Sequence, residues 1–141
     1  MVDPVEPRRV LVLADDLIWS TRLAGHVRAA GFEPRSVRTA EAFRAGLAGS
    51  TGAIVDLTSL AYDGLVAIAA ARDAGVAVLA VGQHDDHVLR RNALAVGADR
   101  VLAYRKLFED GPVTIARWLA AATSGAPSMT EPMPPTEAPI R

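Results

Sequence analysis

The chain has 141 residues, half of them hydrophobic and 22% charged, with a formal net charge of −1 and no cysteine. That is about one domain's worth of chain, long enough to bury a sizeable core. It excludes disulfides, thiolate metal sites and cysteine nucleophiles, and its scattered basic residues leave no electrostatic footprint for nucleic acid or an anionic membrane.

Residues 1–7 are polar and hold two prolines, so they read as a flexible N-terminus with no apolar stretch for a signal peptide. Five short apolar runs follow, each with a helix-like segment behind it. Residues 10–13, VLVL, form the first strand, and 17–30 a helix with apolar Trp19, Leu23, Val27 and Ala30, stopped by Gly31. Residues 35–38 make a weak second strand and 40–47 a short helix ending in Gly46 or Gly49. Residues 53–55 are the third strand, closed by Asp56, and 64–74 the third helix. Residues 76–81 are the fourth strand, and 88–96 a helix closed by Gly97. Residues 100–104 are the fifth strand, and 112–122 the last helix, with Pro112 at its first turn.

Continuous apolar strands alternating with helices predict an α/β fold: three layers around a doubly wound, five-stranded parallel sheet. The domain spans 8–123. From Ser124 the composition changes: residues 124–141 hold five of the nine prolines and no helical period, which reads as a Pro-rich disordered tail. Its Pro132-x-x-Pro135 is a spacer or a polyproline ligand. No apolar run approaches the ~20 residues that span a bilayer, so the expected location is cytoplasmic.

In open α/β sheets, ligands sit beyond the carboxyl ends of the strands, where the strand order reverses. In the order 2-1-3-4-5, strands one and three are neighbours there. Asp15 and Asp16 follow strand one and Asp56 ends strand three. Two facing carboxylates raise a pKa or recruit a cation, and an open site with oxygen ligands suits Mg²⁺. Asp residues in such loops also cap helices. The run Gln83-His84-Asp85-Asp86-His87 has two histidines three apart, but zinc needs a third ligand, and Asp85 or Asp86 is better placed to cap the next helix. His26 reads as a surface or boundary residue. There is no dinucleotide fingerprint or P-loop, and Ser59 sits in no nucleophile elbow.

The chain resembles the response-regulator receiver domain of two-component signalling, chemotaxis-type and flavodoxin-like, over residues 8–123. VLVLADD resembles the first strand and acidic loop, VDLTSLAYDG the phosphoacceptor loop, and GADRVL the entry to the last strand. The resemblance implies that Asp56 is the phosphoacceptor, and that Asp15 and Asp56, with the backbone of Thr58, hold Mg²⁺. Several positions depart from the pattern. Ala14 replaces the first acid, Gly82 the switch hydroxyl, Val101 the switch aromatic and Tyr104 the lysine. Arg105 replaces the following proline, and Ser59-Leu60 the usual Met-Pro. Lys106, the only lysine, shares strand parity with Tyr104 and is the one substitute cation on offer.

The resemblance, with these departures, implies a stand-alone pseudo-receiver, not an enzyme. It would signal through a protein partner: a histidine kinase, another receiver or an effector. Phosphorylation switching would be impaired or absent. No cofactor is required, with Mg²⁺ optional. The output face would be the last helix, strand and helix, holding Leu89, Leu94, Val101, Tyr104 and Trp118, and the same face suits a homodimer. The alternatives are a Mg²⁺-dependent phosphoacceptor receiver using Asp56, and a small-ligand-binding flavodoxin-like domain.

Overall fold

The computed structural model describes residues 8–83 and 85–123. The predicted flexible N-terminus, the Pro-rich tail and His84 of the paired-histidine run lie outside the described residues. The elements run β1 Arg9–Leu13, α1 Leu17–Ala29, β2 Glu33–Val37, α2 Ala40–Gly46 with a 3₁₀ turn at Leu47–Gly49, and β3 Gly52–Asp56. They continue with α3 Gly64–Asp73, β4 Ala77–Gly82, α4 His87–Val96, β5 Arg100–Ala103 and α5 Tyr104–Thr123. The strands pair in the order β2-β1-β3-β4-β5, all parallel, as predicted.

Alternate residues of each strand feed opposite faces of the sheet. Leu11, Leu13, Ala53, Val55, Val78, Ala80 and Val101 pack with Phe43, Ala67, Ile68, Ala71 and Ala93 of α2, α3 and α4. Val10, Val12, Ile54, Leu79 and Val81 pack with Leu23 and Val27 of α1 and Leu107, Ile115, Trp118 and Leu119 of α5. Two apolar faces explain why the strands read as unbroken apolar runs. β2 is the exception because it is an edge strand. Only Val37 is buried, and Pro34, which cannot donate to a ladder, is accommodated there.

Side chains set the helix starts. Asp16 accepts from Trp19 N at 3.0 Å, Thr39 from Ala42 N at 3.1 Å, Asp63 from Leu65 N and Val66 N at 3.0 and 3.2 Å, and Asp86 from Leu89 N at 3.0 Å. Asp86 is thus a helix cap, as its place before the fourth helix suggested. Asp99 accepts from Val78 N at 2.7 Å and from Trp118 Nε1 at 3.4 Å. The acid of GADRVL therefore ties the start of β4 to α5.

The last helix departs from the sequence reading. It begins at Tyr104, not at 112, and β5 ends at Ala103. Leu107 is buried, and Arg105–Glu109 and Lys106–Asp110 pair one turn apart at 3.9 and 3.1 Å, so residues 104–109 already have a helix's apolar anchor and charge pattern. Asp110 breaks the run with φ −146°, and Pro112 falls in the first turn of the segment that resumes, where it takes away no helical hydrogen bond. Proline marked a restart within α5 and not its beginning.

Candidate functional site

Leu13 pairs with Val55, so the next residues, Ala14 and Asp56, lie side by side where the strand order reverses. Ala14 is fully buried against the core beneath α1 and α5. An acid in its place would have to be buried as well. Asp56 is also fully buried. Its Oδ1 accepts from Thr58 N at 2.9 Å and from the Thr58 hydroxyl at 2.7 Å, the pattern of an Asx turn closed by its own loop. Its Oδ2 has no hydrogen-bond partner.

Tyr104, directly after β5, faces this pocket. Its hydroxyl lies against the Asp56 carboxylate and the Thr58 hydroxyl. Yet it and Asp56 Oδ2 are the two buried polar side-chain atoms without a hydrogen bond among the described residues. Burial first, then the Asp56 carboxylate, pushes the Tyr104 phenol well above the usual tyrosine range. The group at the position where the resemblance leads one to expect a lysine is thus a neutral phenol.

Tyr62, which the sequence reading did not single out, closes the other side. Its hydroxyl donates to the Asp56 carbonyl oxygen at 2.5 Å and lies 3.1 Å from the Leu13 carbonyl oxygen, tying together the ends of β3 and β1. Burial, followed by the Asp56 carboxylate and more weakly Asp15, pushes this phenol above its ordinary range as well. The signal in the sequence was only a tyrosine before the Asp-Gly turn, and what it bridges is set by the parallel strand pairing.

Asp15 stands at the rim, half exposed, and the Arg38 guanidinium approaches it to 3.6 Å. Arg38 follows β2, next to β1 in the sheet, so the strand order delivers a cation to the acid expected to hold metal. Asp16 is taken up by its cap. Among the described residues no three His, Cys, Asp or Glu side chains are grouped so as to hold a metal ion.

At the remaining positions, Gly82 ends β4, and a Cβ there would meet only Leu57, at 3.6 and 3.7 Å. Val101 is buried in the core beneath α2, α3 and α4. Lys106 does not lie on a strand running on from Tyr104, as its expected reach required. It is on the first turn of α5, with its ammonium on Asp110 at 3.1 Å. The strand ended three residues earlier than that parity argument needed. Of the expected output face, Val101 and Trp118 are core, Leu89 and Tyr104 half-buried and Leu94 exposed. His26 is a boundary residue: a Cβ on Gly111 of α5 would come within 2.6 Å of its ring.

On the outer side of Tyr104, its ring stacks on Trp19 of α1, centroids 3.6 Å apart and planes tilted by 32°. The Arg22 guanidinium sits 5.5 Å from the Trp19 ring centroid and 5.0 Å from that of Phe108.

No family model matches the chain, and no curated protein matches it. Solved structures do. The chain is similar to a CheY-like response regulator receiver domain protein from Methanospirillum hungatei, at 19% identity and a TM-score of 0.69, over 84% of this chain and 98% of that one. It is similar to a response regulator receiver domain protein from Clostridium thermocellum at 14% identity and a TM-score of 0.72, over 87% and 99% of the two chains. NtrX from Brucella abortus matches at 16% identity and a TM-score of 0.74, over 88% of this chain and 29% of that one. At these identities the likeness is one of fold: the chain has the response-regulator receiver fold.

Proposed function

We propose that this receiver-fold domain is a signalling module that works by binding another protein, with the pocket around Asp56 held in one state and without a phosphorylation switch. The observation that carries the reading is Tyr104, a neutral phenol against the buried Asp56 carboxylate where the resembled family has an ammonium. Phosphoryl transfer to an aspartate depends on positive charge and donors aimed at the transferring oxygens. Here Tyr104 brings no charge, Lys106 is held by Asp110, and Gly82 has no hydroxyl to give. Val101 has no ring to rotate. The strand ends are tied by Tyr62, and Asp15 is engaged by Arg38. The metal-holding acid, the cation, the hydroxyl and the ring with which the resembled family answers a phosphoryl group are each missing or occupied here.

Asp56 Oδ2, a buried carboxylate oxygen without a partner, fits a cation. When Mg²⁺ is bound, Asp15, Asp56 and the backbone carbonyl of Thr58 would hold it, since Mg²⁺ needs only one or two carboxylates and keeps several waters. The ion supplies positive charge at the rim, and Arg38 competes with it for Asp15. The same free oxygen favours a second reading, in which Asp56 is a Mg²⁺-dependent phosphoacceptor.

Intact-mass measurement after incubation with Mg²⁺ and acetyl phosphate separates the two. The first reading predicts no phosphoryl adduct. An acid-labile adduct that disappears in Asp56→Asn would establish the second.

A further inference from the structure

We infer that Tyr104 couples the Asp56 pocket to the face formed by α1 and α5, so that a change at Asp56 displaces Trp19, Arg22 and Phe108 together. The two ends of this one side chain belong to different places. Its hydroxyl stands against Asp56 and Thr58 inside the domain, and its ring stacks on Trp19 at 3.6 Å. Trp19 and Arg22 are three residues apart on α1, and Tyr104 and Phe108 four apart on α5, the spacings that bring side chains onto one helix face. Arg22 closes the group, its guanidinium over both the Trp19 and the Phe108 ring. Phe108 is 64% exposed and Leu17 and Ile18 beside Trp19 are 72% and 64% exposed, so the group ends in an apolar surface.

The inner end is free to respond. Neither the Tyr104 hydroxyl nor Asp56 Oδ2 is committed to another hydrogen bond. A new donor, acceptor or charge at Asp56 therefore changes the balance at Tyr104 with no competing bond to break. The outer end transmits, because a ring at stacking distance cannot move without its neighbour giving way. On the opposite face the sheet offers no equivalent part: Val101 is buried in the core, and Gly82 has no side chain. The coupling concerns the packing of Tyr104 and holds whether or not Asp56 accepts a phosphoryl group.

The test uses no phosphodonor, so it stands apart from the fate of the functional reading. The chain has two tryptophans, and their indole N–H signals report the two sites. Trp118, held near Asp99 at 3.4 Å, serves as internal reference. Asp56→Asn should move the Trp19 signal and leave that of Trp118 in place. Tyr104→Phe keeps the ring and removes the hydroxyl, and in that background the Asp56→Asn displacement should largely vanish. Coupling is reciprocal, so Trp19→Leu should shift the Thr58 amide. If Asp56→Asn fails to fold, Thr58→Ala, which takes away the hydroxyl donor to Asp56 Oδ1 and leaves the backbone one, reads the same connection. The inference is overturned if the pocket substitution leaves Trp19 unmoved, or if the displacement is the same without the Tyr104 hydroxyl.

Discussion

Replacing Tyr104 by lysine restores the charge that the pocket lacks, and its consequences can be worked out from the structure. The substitution gives up the Trp19 stack, worth about 0.5–1.5 kcal/mol beyond area burial. It gains an ammonium facing an unpartnered carboxylate oxygen, and a hydrogen bond to a charged group is worth about 1.5–3 kcal/mol. Lost burial of the ring costs about 1 kcal/mol more, so the terms nearly offset, and Tyr104→Lys should fold with a melting temperature within about 5 °C of the parent. Binding of an anion is a different matter. Beryllofluoride with Mg²⁺ mimics an aspartyl phosphate, and an ammonium aimed at it should add the same ~1.5–3 kcal/mol, or about 10- to 150-fold in affinity. Tyr104→Phe, which removes a buried hydroxyl that has no partner, should leave that affinity at the parent's level. In a beryllofluoride titration followed by NMR, shifts at the Asp56 and Thr58 amides should be absent in the parent and in Tyr104→Phe, and saturable in Tyr104→Lys. If the folded lysine variant binds no more tightly than the parent, the missing charge is not what disables the pocket.

Arg38→Ala should change stability by less than about 1 kcal/mol, because its pair with Asp15 is exposed. It should strengthen Mg²⁺ binding by freeing Asp15, read from the Asp15 amide in a Mg²⁺ titration; unchanged affinity would mean that Arg38 does not compete. Asp99→Ala leaves the Val78 N–H without its 2.7 Å acceptor and releases Trp118 Nε1, so chemical denaturation should show a loss of about 1–3 kcal/mol. His26 holds its proton less tightly in the folded chain than its ordinary 6.5, through burial and then Arg22. Its contribution to stability is therefore full above that value and declines as the pH falls through 6.5 towards the lower folded pKa. Thermal melts between pH 7.5 and 5 should show a smaller acid-side decline in His26→Gln, and identical slopes would rule out this origin.

The fold was legible because burial on both faces writes itself into the chain. β1, β3 and β4 each carry an unbroken apolar run and are flanked by capping aspartates and closing glycines, so local and global signals agree. β2 was only partly legible, since an edge strand with one buried residue carries little apolar signal. The start of α5 was misread because Pro112 is a strong local marker, while the evidence for residues 104–109 lies in Leu107 reaching the core and in two charge pairs.

In the site, the positions of Asp15, Asp56 and Tyr104 followed from where strands end. What the side chains do there did not follow. That Arg38 reaches Asp15, that Tyr62 bridges two strand ends, and that Tyr104 divides itself between Asp56 and Trp19 all depend on contacts between residues far apart in the chain. A list of departures from a motif shows which parts are missing. The structure adds what stands at those places: a phenol against Asp56, and Arg38 on the acid at the rim.

The central claim, a receiver-fold pocket that does not switch, meets its most direct test in an amide NMR titration of the unmodified chain with Mg²⁺ and then beryllofluoride. The account predicts that beryllofluoride causes no displacement at Asp56 or Thr58 and none that spreads into α4, β5 or α5, whatever small local changes Mg²⁺ produces at Asp15. Displacements at Asp15 and Asp56 that propagate along α5 would contradict it and show a working switch built from different parts.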